Sequence, residues 1–276
     1  DEWGLLNGKV IFSGSTVATG TELYISDGTP GGTVLVSDIR AGATGSSPSE
    51  FVLLGNFLYF TAETALQGRE LWRTNGTSAG TTIVKDIVPG ALSSNTEFNY
   101  NLFSNGSYLL FAANTTAAGN ELWKSDGTSA GTILLKDINT GHSGADSSNP
   151  DNFIVLNNIV LFTATDAIHG NEIWKTDGSS AGTVLVKDIN PGTASSTQVE
   201  IFPGYFANFF IGFHIFNKRA YFDANDGTSA GEIWVTDGTS GNTTLVKNFP
   251  SISPNFSRPL LIDAVNFPGK FIFPYG

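Results

Sequence analysis

With 276 residues, 40% of them apolar and only 14% charged, the chain is long enough to bury a large core beneath an unusually uncharged surface. Its 25 acidic and 14 basic residues leave a net charge of −11, a field that repels phosphate backbones and anionic membranes and argues against nucleic-acid binding. Cysteine is absent, which rules out a disulfide frame and thiol chemistry, and no apolar run reaches the roughly 20 residues of a spanning helix.

The chain opens at Asp1 rather than Met, which suggests a processed precursor or a fragment. Its first element is a short strand around Trp3–Leu6, the start of a pattern that then recurs. The second copy shows the pattern best. Apolar runs at Glu50–Leu54 and Phe57–Thr61 flank a Gly-Asn turn, and Glu70–Thr74 and Thr81–Ile87 alternate on either side of Asn75–Gly80. Four short runs separated by turn residues predict an antiparallel meander of strands A to D. The third strand begins at Glu22, Glu70, Glu121, Glu172 and Glu232, in steps of 48, 51, 51 and 60 residues. A period near 50 predicts an array of one supersecondary unit. Gly, Ser and Thr are abundant and the apolar runs are β-branched or aromatic, so the class is all-β.

Four-stranded sheets of this length, repeated, predict a β-propeller. Five complete blades are expected at 1–39, 49–87, 98–138, 152–189 and 208–249, within one domain spanning 1–276. A partial blade at 259–276 would take strands A and B from Pro259–Val265 and Lys270–Pro274. That count fits either a six-bladed ring with a C-terminal half blade or a fragment of a longer propeller.

The runs ELWKSDGTSAGTILLKDI (Glu121 to Ile138) and EIWKTDGSSAGTVLVKDI (Glu172 to Ile189) resemble the ELWxxDGT-repeat family of bacterial secreted and surface proteins. The likeness covers nearly the whole chain, with Tyr24 in place of Trp in the first copy and Asn75 in place of Asp in the second. The resemblance implies a propeller and export to the cell surface; it implies no particular activity.

Several residue roles follow from the pattern. The Leu or Ile at 23, 71, 122, 173 and 233 alternates with the aromatic at 24, 72, 123, 174 and 234, so each set should face one neighbouring blade. The carboxylates of Asp27, Asp126, Asp177 and Asp237 should cap Asx-type turns, with calcium ligation there as the alternative and no other cofactor. Lys85, Lys136, Lys187 and Lys247 are expected to snorkel at blade rims beside the following Asp.

The C–D turns hardly vary, whereas the B–C and D–A loops do, and these should share one side of the molecule and carry recognition. The longest, Asn190–Asn208, contains Tyr205 and Phe206, read either as a packed lead-in to strand A or as an exposed aromatic lip. On the same side Asp166 and His169 share a loop, and Asp223 and Asp226 lie in the fifth repeat. These six residues are the candidate ligand-binding set. No nucleophile in a recognisable setting accompanies the Asp–His pair, so no catalytic residue is assigned.

The function expected from the sequence is a non-enzymatic extracellular module that binds a glycan or a protein partner at a bacterial surface, without nucleic-acid binding or membrane insertion. The alternatives are a polysaccharide hydrolase whose carboxylates would include Asp166, Asp223, Asp226 and Glu63, and a structural subunit of a surface assembly.

Overall fold

Apolar–polar alternation, interrupted every few residues by Gly, Asn or Asp, dictates short strands with tight reversals. The computed structural model describes residues 3–94, 101–140, 146–202, 205–208, 212–228, 232–248, 265–267 and 270–272, and these contain strands and no helix. The first sheet comprises β1 (Trp3–Leu6), β2 (Lys9–Thr16), β3 (Gly20–Ser26) and β4 (Val34–Ser37). The second comprises β5 (Ser49–Leu54), β6 (Phe57–Thr64), β7 (Gly68–Thr74) and β8 (Thr82–Lys85). In the third are β9 (Phe103–Ser104), β10 (Leu109–Thr115), β11 (Gly119–Ser125) and β12 (Ile133–Lys136). The fourth holds β13 (Asp151–Leu156), β14 (Ile159–Asp166), β15 (Gly170–Thr176) and β16 (Val184–Lys187).

A two-stranded hairpin follows, β17 (Gln198–Phe202) with β18 (Tyr205–Asn208). The fifth sheet then takes β19 (His214–Phe216), β20 (Arg219–Ala224), β21 (Glu232–Thr236) and β22 (Thr244–Asn248), and β23 (Val265–Phe267) pairs with β24 (Lys270–Ile272). In all five sheets the strands neighbour one another in chain order and run antiparallel.

The sequence places the five meanders correctly and errs at their leading strands. Strand A of the fifth sheet starts at His214 rather than at residue 208, and the stretch read as a loop up to Asn208 contains the β17–β18 hairpin. In the C-terminal pair the first strand is Val265–Phe267; residues 259–264 and 273–276 lie outside the described residues. Its register, Val265↔Ile272 and Phe267↔Lys270, repeats that of β1–β2, Gly4↔Ile11 and Leu6↔Lys9.

One irregularity recurs. Between the third and fourth strands the register shifts at Leu23/Tyr24, Leu71/Trp72, Leu122/Trp123, Ile173/Trp174 and Ile233/Trp234. The shift leaves one extra residue on the fourth strand, a β-bulge that aims an additional apolar side chain inward. Those residues are Val36, Val84, Leu135, Val186 and Val246. The first four are 4–7% exposed, whereas Val246 is 44% exposed.

The chain divides into two units, residues 1–137 with 142–149 and residues 138–141 with 150–276. In the first unit Leu6, Ile11, Leu23 and Val36 of the first sheet meet Phe51, Leu58 and Phe60 of the second. Tyr59, Leu71 and Val84 of the second meet Leu109, Phe111 and Trp123 of the third. In the second unit Leu161, Ile173 and Val186 meet Phe222 and Trp234. Leu23, Leu71 and Ile173 thus face the following sheet, and Trp123 and Trp234 face the preceding one, as the alternation requires.

Candidate functional site

The glutamate that opens each copy of the motif is fully buried at all five positions. An isolated buried carboxylate would be prohibitive, so each must be met by donors. Glu22 accepts the backbone N–H groups of Ile39 and Arg40, both at 3.0 Å, and the hydroxyl of Ser46 at 2.6 Å. Glu70 accepts Ile87 N, Val88 N, Ser94 N and Ser94 Oγ. Glu172 accepts Ile189 N, Asn190 N and Ser196 Oγ, and Glu121 accepts Ser148 N and Ser148 Oγ. The carboxylate therefore ties the linker that leaves the fourth strand back onto the third. The same serines carry the tie onward, because Ser46 O accepts Glu63 N and Ser196 O accepts Asn225 N in the next sheet.

Burial dominates the protonation of Glu70 and Glu172. It pushes Glu70 up to about 7 against the pull of its four donors. It pushes Glu172 up to about 8, with the neighbouring Asp188 charge adding to the rise.

The conserved turn after the third strand also proves structural. Asp27 Oδ1 accepts Thr29 N at 3.0 Å and Thr29 Oγ1 at 2.7 Å, and the hydroxyl bond is the first cause holding its pKa below the usual carboxylate value. Asn75 Oδ1 makes the same two bonds to Thr77, which is why an amide replaces the acid there. A Cβ added to Gly32, Gly80, Gly131 or Gly182 would fall 1.9–2.1 Å from the Asp or Asn side chain and would have to displace it; in the fifth copy Asn242 stands there and donates to Asp237 Oδ2. Among the described residues no group of three His, Cys, Asp or Glu gathers to hold a metal.

For Lys85 and Lys187 the expectation is corrected. Lys85 Nζ donates to Thr132 O at 2.7 Å and Lys187 Nζ to Thr243 O at 2.8 Å, so both reach the next sheet instead of snorkelling beside their own Asp. Arg73 Nη1 to Gly127 O and Lys175 Nζ to Gly238 O form a second row of such bonds. The acceptors are backbone carbonyls, so no charge pattern in the sequence announces them.

The opposite side carries the variable loops. A Cβ on Gly20 would lie 2.5 Å from Gly45 N, and one on Gly68 would lie 2.6 Å from Leu92 C, so each B–C turn is pressed against the linker that follows. Turn and linker thus share one side, as expected. Their outermost residues are apolar: Val17 is 97% exposed, Leu66 82%, Leu92 63% and, in the second unit, Ile168 67%.

On this side the structure brings Asp166 and His169 together, with His169 Nδ1 2.8 Å from Asp166 Oδ2. Asp166 Oδ1 also accepts Ile168 N and His169 N. The hydroxyls of Thr16, Thr64 and Thr115 accept the equivalent N–H in the other turns, so Asp166 closes a turn and the imidazole is an addition. Asp226 closes its own turn onto Thr228 N at 2.9 Å and Thr228 Oγ1 at 2.6 Å. Asp223 sits within β20 opposite Ile233 and is 6% exposed. Glu63 pairs with Arg40. Tyr205 and Phe206 stand opposite Phe202 and Glu200 in the β17–β18 hairpin, and their side chains lie outside the described residues. Asp166 and Asp226 are thus engaged in their own turns.

The glutamate tie, present at Glu22, Glu70, Glu121 and Glu172, was missed in the sequence. Its signal is a serine 24 residues after the glutamate in three copies (Ser46, Ser94 and Ser196) and 27 after it in a fourth (Ser148).

No family model matches the chain, and no curated protein matches it. Among solved structures, a puromycin hydrolase in its S511A mutant form, complexed with PGG, aligns with a TM-score of 0.52 at 15% identity. The alignment covers 98% of this chain and 41% of the hydrolase, so the chain spans about two-fifths of that protein. A structure from a study of two prolyl endopeptidases aligns over 86% of this chain and 32% of its own, at 13% identity and a TM-score of 0.47. At these identities the likeness establishes an all-β, propeller-like fold and nothing finer. It does overturn the expectation of a non-enzymatic surface module recognising a glycan or protein. The solved structure with the similar fold is a hydrolase, of which that fold is a part.

Proposed function

We propose that this chain is a β-propeller domain of a peptide-hydrolysing protein, where it accompanies a separate catalytic domain and does not itself cleave the substrate. Its blades are the five sheets, with a sixth begun by the β23–β24 hairpin. The observation that carries the reading is the division of labour among the side chains. The recurring Glu, Asp and Lys groups brace the sheets, while the variable loops present Val17, Leu66 and Leu92 of the first unit, and Ile168 of the second, to solvent. Apolar tips on rigidly tied turns suit contact with another folded domain better than they suit bond cleavage. The alignment with two-fifths of a hydrolase supports the same assignment.

The test is to isolate the native polypeptide carrying this sequence with an antibody against it, then treat it with a serine-directed fluorophosphonate probe and short peptides. The expected result is a labelled, peptide-cleaving species heavier than 29.2 kDa, alongside an unlabelled and inert 276-residue chain. An unlabelled native species without peptidase activity would overturn the proposal.

A further inference from the structure

Three Asn–Gly steps occur in the chain, at Asn7–Gly8, Asn75–Gly76 and Asn105–Gly106. In such a step the glycine nitrogen has no neighbouring side chain to hinder its approach to the asparagine Cγ. The fold holds the three steps very differently. Asn75 Oδ1 is fixed by Thr77 N and Thr77 Oγ1, and Gly76 N donates to Thr74 Oγ1 at 3.0 Å. Asn105 Oδ1 is fixed by Ser107 N and Tyr108 N, both at 3.0 Å, and Gly106 N donates to Ser104 Oγ at 3.1 Å. In both places the electrophile and the nucleophile are each tied to other groups.

Asn7 and Gly8 form the corner of the β1–β2 hairpin, with φ of 51° and 75°, the left-handed pair of a two-residue type I′ turn. Both residues are exposed, and no atom lies within 4 Å of where a Gly8 Cβ would stand. Among the described residues no hydrogen bond fixes the Asn7 amide.

We propose that Asn7 is a site of spontaneous deamidation, and that the turn hydrogen bonds shield Asn75 and Asn105. The Gly8 nitrogen bonds to Asn7 Cγ and loses its proton, while the Cγ–Nδ2 bond breaks and ammonia leaves, closing a five-membered succinimide. Water then opens either carbonyl, giving an aspartate or an isoaspartate at position 7. The isoaspartate adds a methylene to the main chain of a turn that has room for two residues only. It thereby disturbs the Leu6↔Lys9 pairing and the hold of β1 on the first sheet.

The experiment is peptide mapping by mass spectrometry after incubating the folded chain at mildly alkaline pH, with a second sample in urea. In the folded chain Asn7 should convert about tenfold faster than Asn75 or Asn105, the factor expected when one turn hydrogen bond must break before attack. In urea the three rates should converge. Thr77→Val, with folding verified by circular dichroism, should accelerate conversion at Asn75 and leave Asn7 unchanged. Equal rates at the three sites in the folded chain, or an intact Asn7, would overturn the assignment.

Discussion

The junction between the first and second sheets and the junction between the second and third use the same backbone positions in opposite ways. At the latter, Arg73 donates to the Gly127 carbonyl while its guanidinium lies 4.7 Å from the centre of the Phe57 ring, and Lys85 donates to Thr132 O. At the former those positions hold Ile25 and Ser37, and Ile25 lies against Gly76, the counterpart of Gly127. The apolar core persists in both, with Phe60 filling one and Phe111 the other. The comparison separates what every junction requires, an aromatic packed on Leu or Val, from what is added locally, a cation on a carbonyl.

The strongest way to break this comparison is to remove the shared part. Phe60→Ala should cost about 3–5 kcal/mol and loosen the first sheet, whose junction keeps the Arg40–Glu63 pair but lacks the counterparts of the Arg73 and Lys85 bonds; hydrogen exchange of β1–β4 checks this. Phe111→Ala should cost less at its better-braced junction. Next, Glu70→Ala would strip the acceptor from Ile87 N and Val88 N, leave Ser94 only the Arg69 carbonyl, and lower stability by about 3 kcal/mol in denaturant unfolding. A comparable loss from Glu22→Ala would show that the tie is independent of the cationic row.

A pH series gives an effect on the order of 2 kcal/mol. The folded-state pKa of Glu70 is raised from 4.5 to about 7 and that of Glu172 to about 8. Each then binds more protons folded than unfolded between those limits. Their contribution is present in full below pH 4.5 and is lost as pH rises through 7 to 8. The midpoint of urea unfolding should fall over that window, and Glu172→Gln should flatten the upper part of the slope. Smaller still, Lys85→Met should remove about 1 kcal/mol, and Ser37→Lys should return a few tenths to about 1 kcal/mol if the new ammonium reaches the Thr81 carbonyl.

The features legible in the sequence are those with a short period. Alternation in Glu70–Thr74 and the Asx turn at Asp27 involve residues within a few positions of one another, so the third strands and their turns were placed correctly. The glutamate tie joins groups 17, 18 and 24 residues apart through backbone donors, and the lysine bonds reach carbonyls 47 and 56 residues away. Neither leaves a local pattern. Asp166 and His169 were paired correctly because three residues separate them in one turn. That the pair closes a turn emerges only beside the hydroxyls of Thr16 and Thr64.

The glutamate tie also has a bearing on how such an array can grow by gene duplication. A copied segment running from a first strand to a fourth would part each glutamate from the serine downstream that completes its shell. A segment running from one third strand through the second strand of the following sheet keeps Glu70 with Ser94 and Glu172 with Ser196. The heritable module of this protein is therefore offset by half a sheet from its visible one, and recombination at the B–C turns keeps Glu22, Glu70, Glu121 and Glu172 with the serines that cover them.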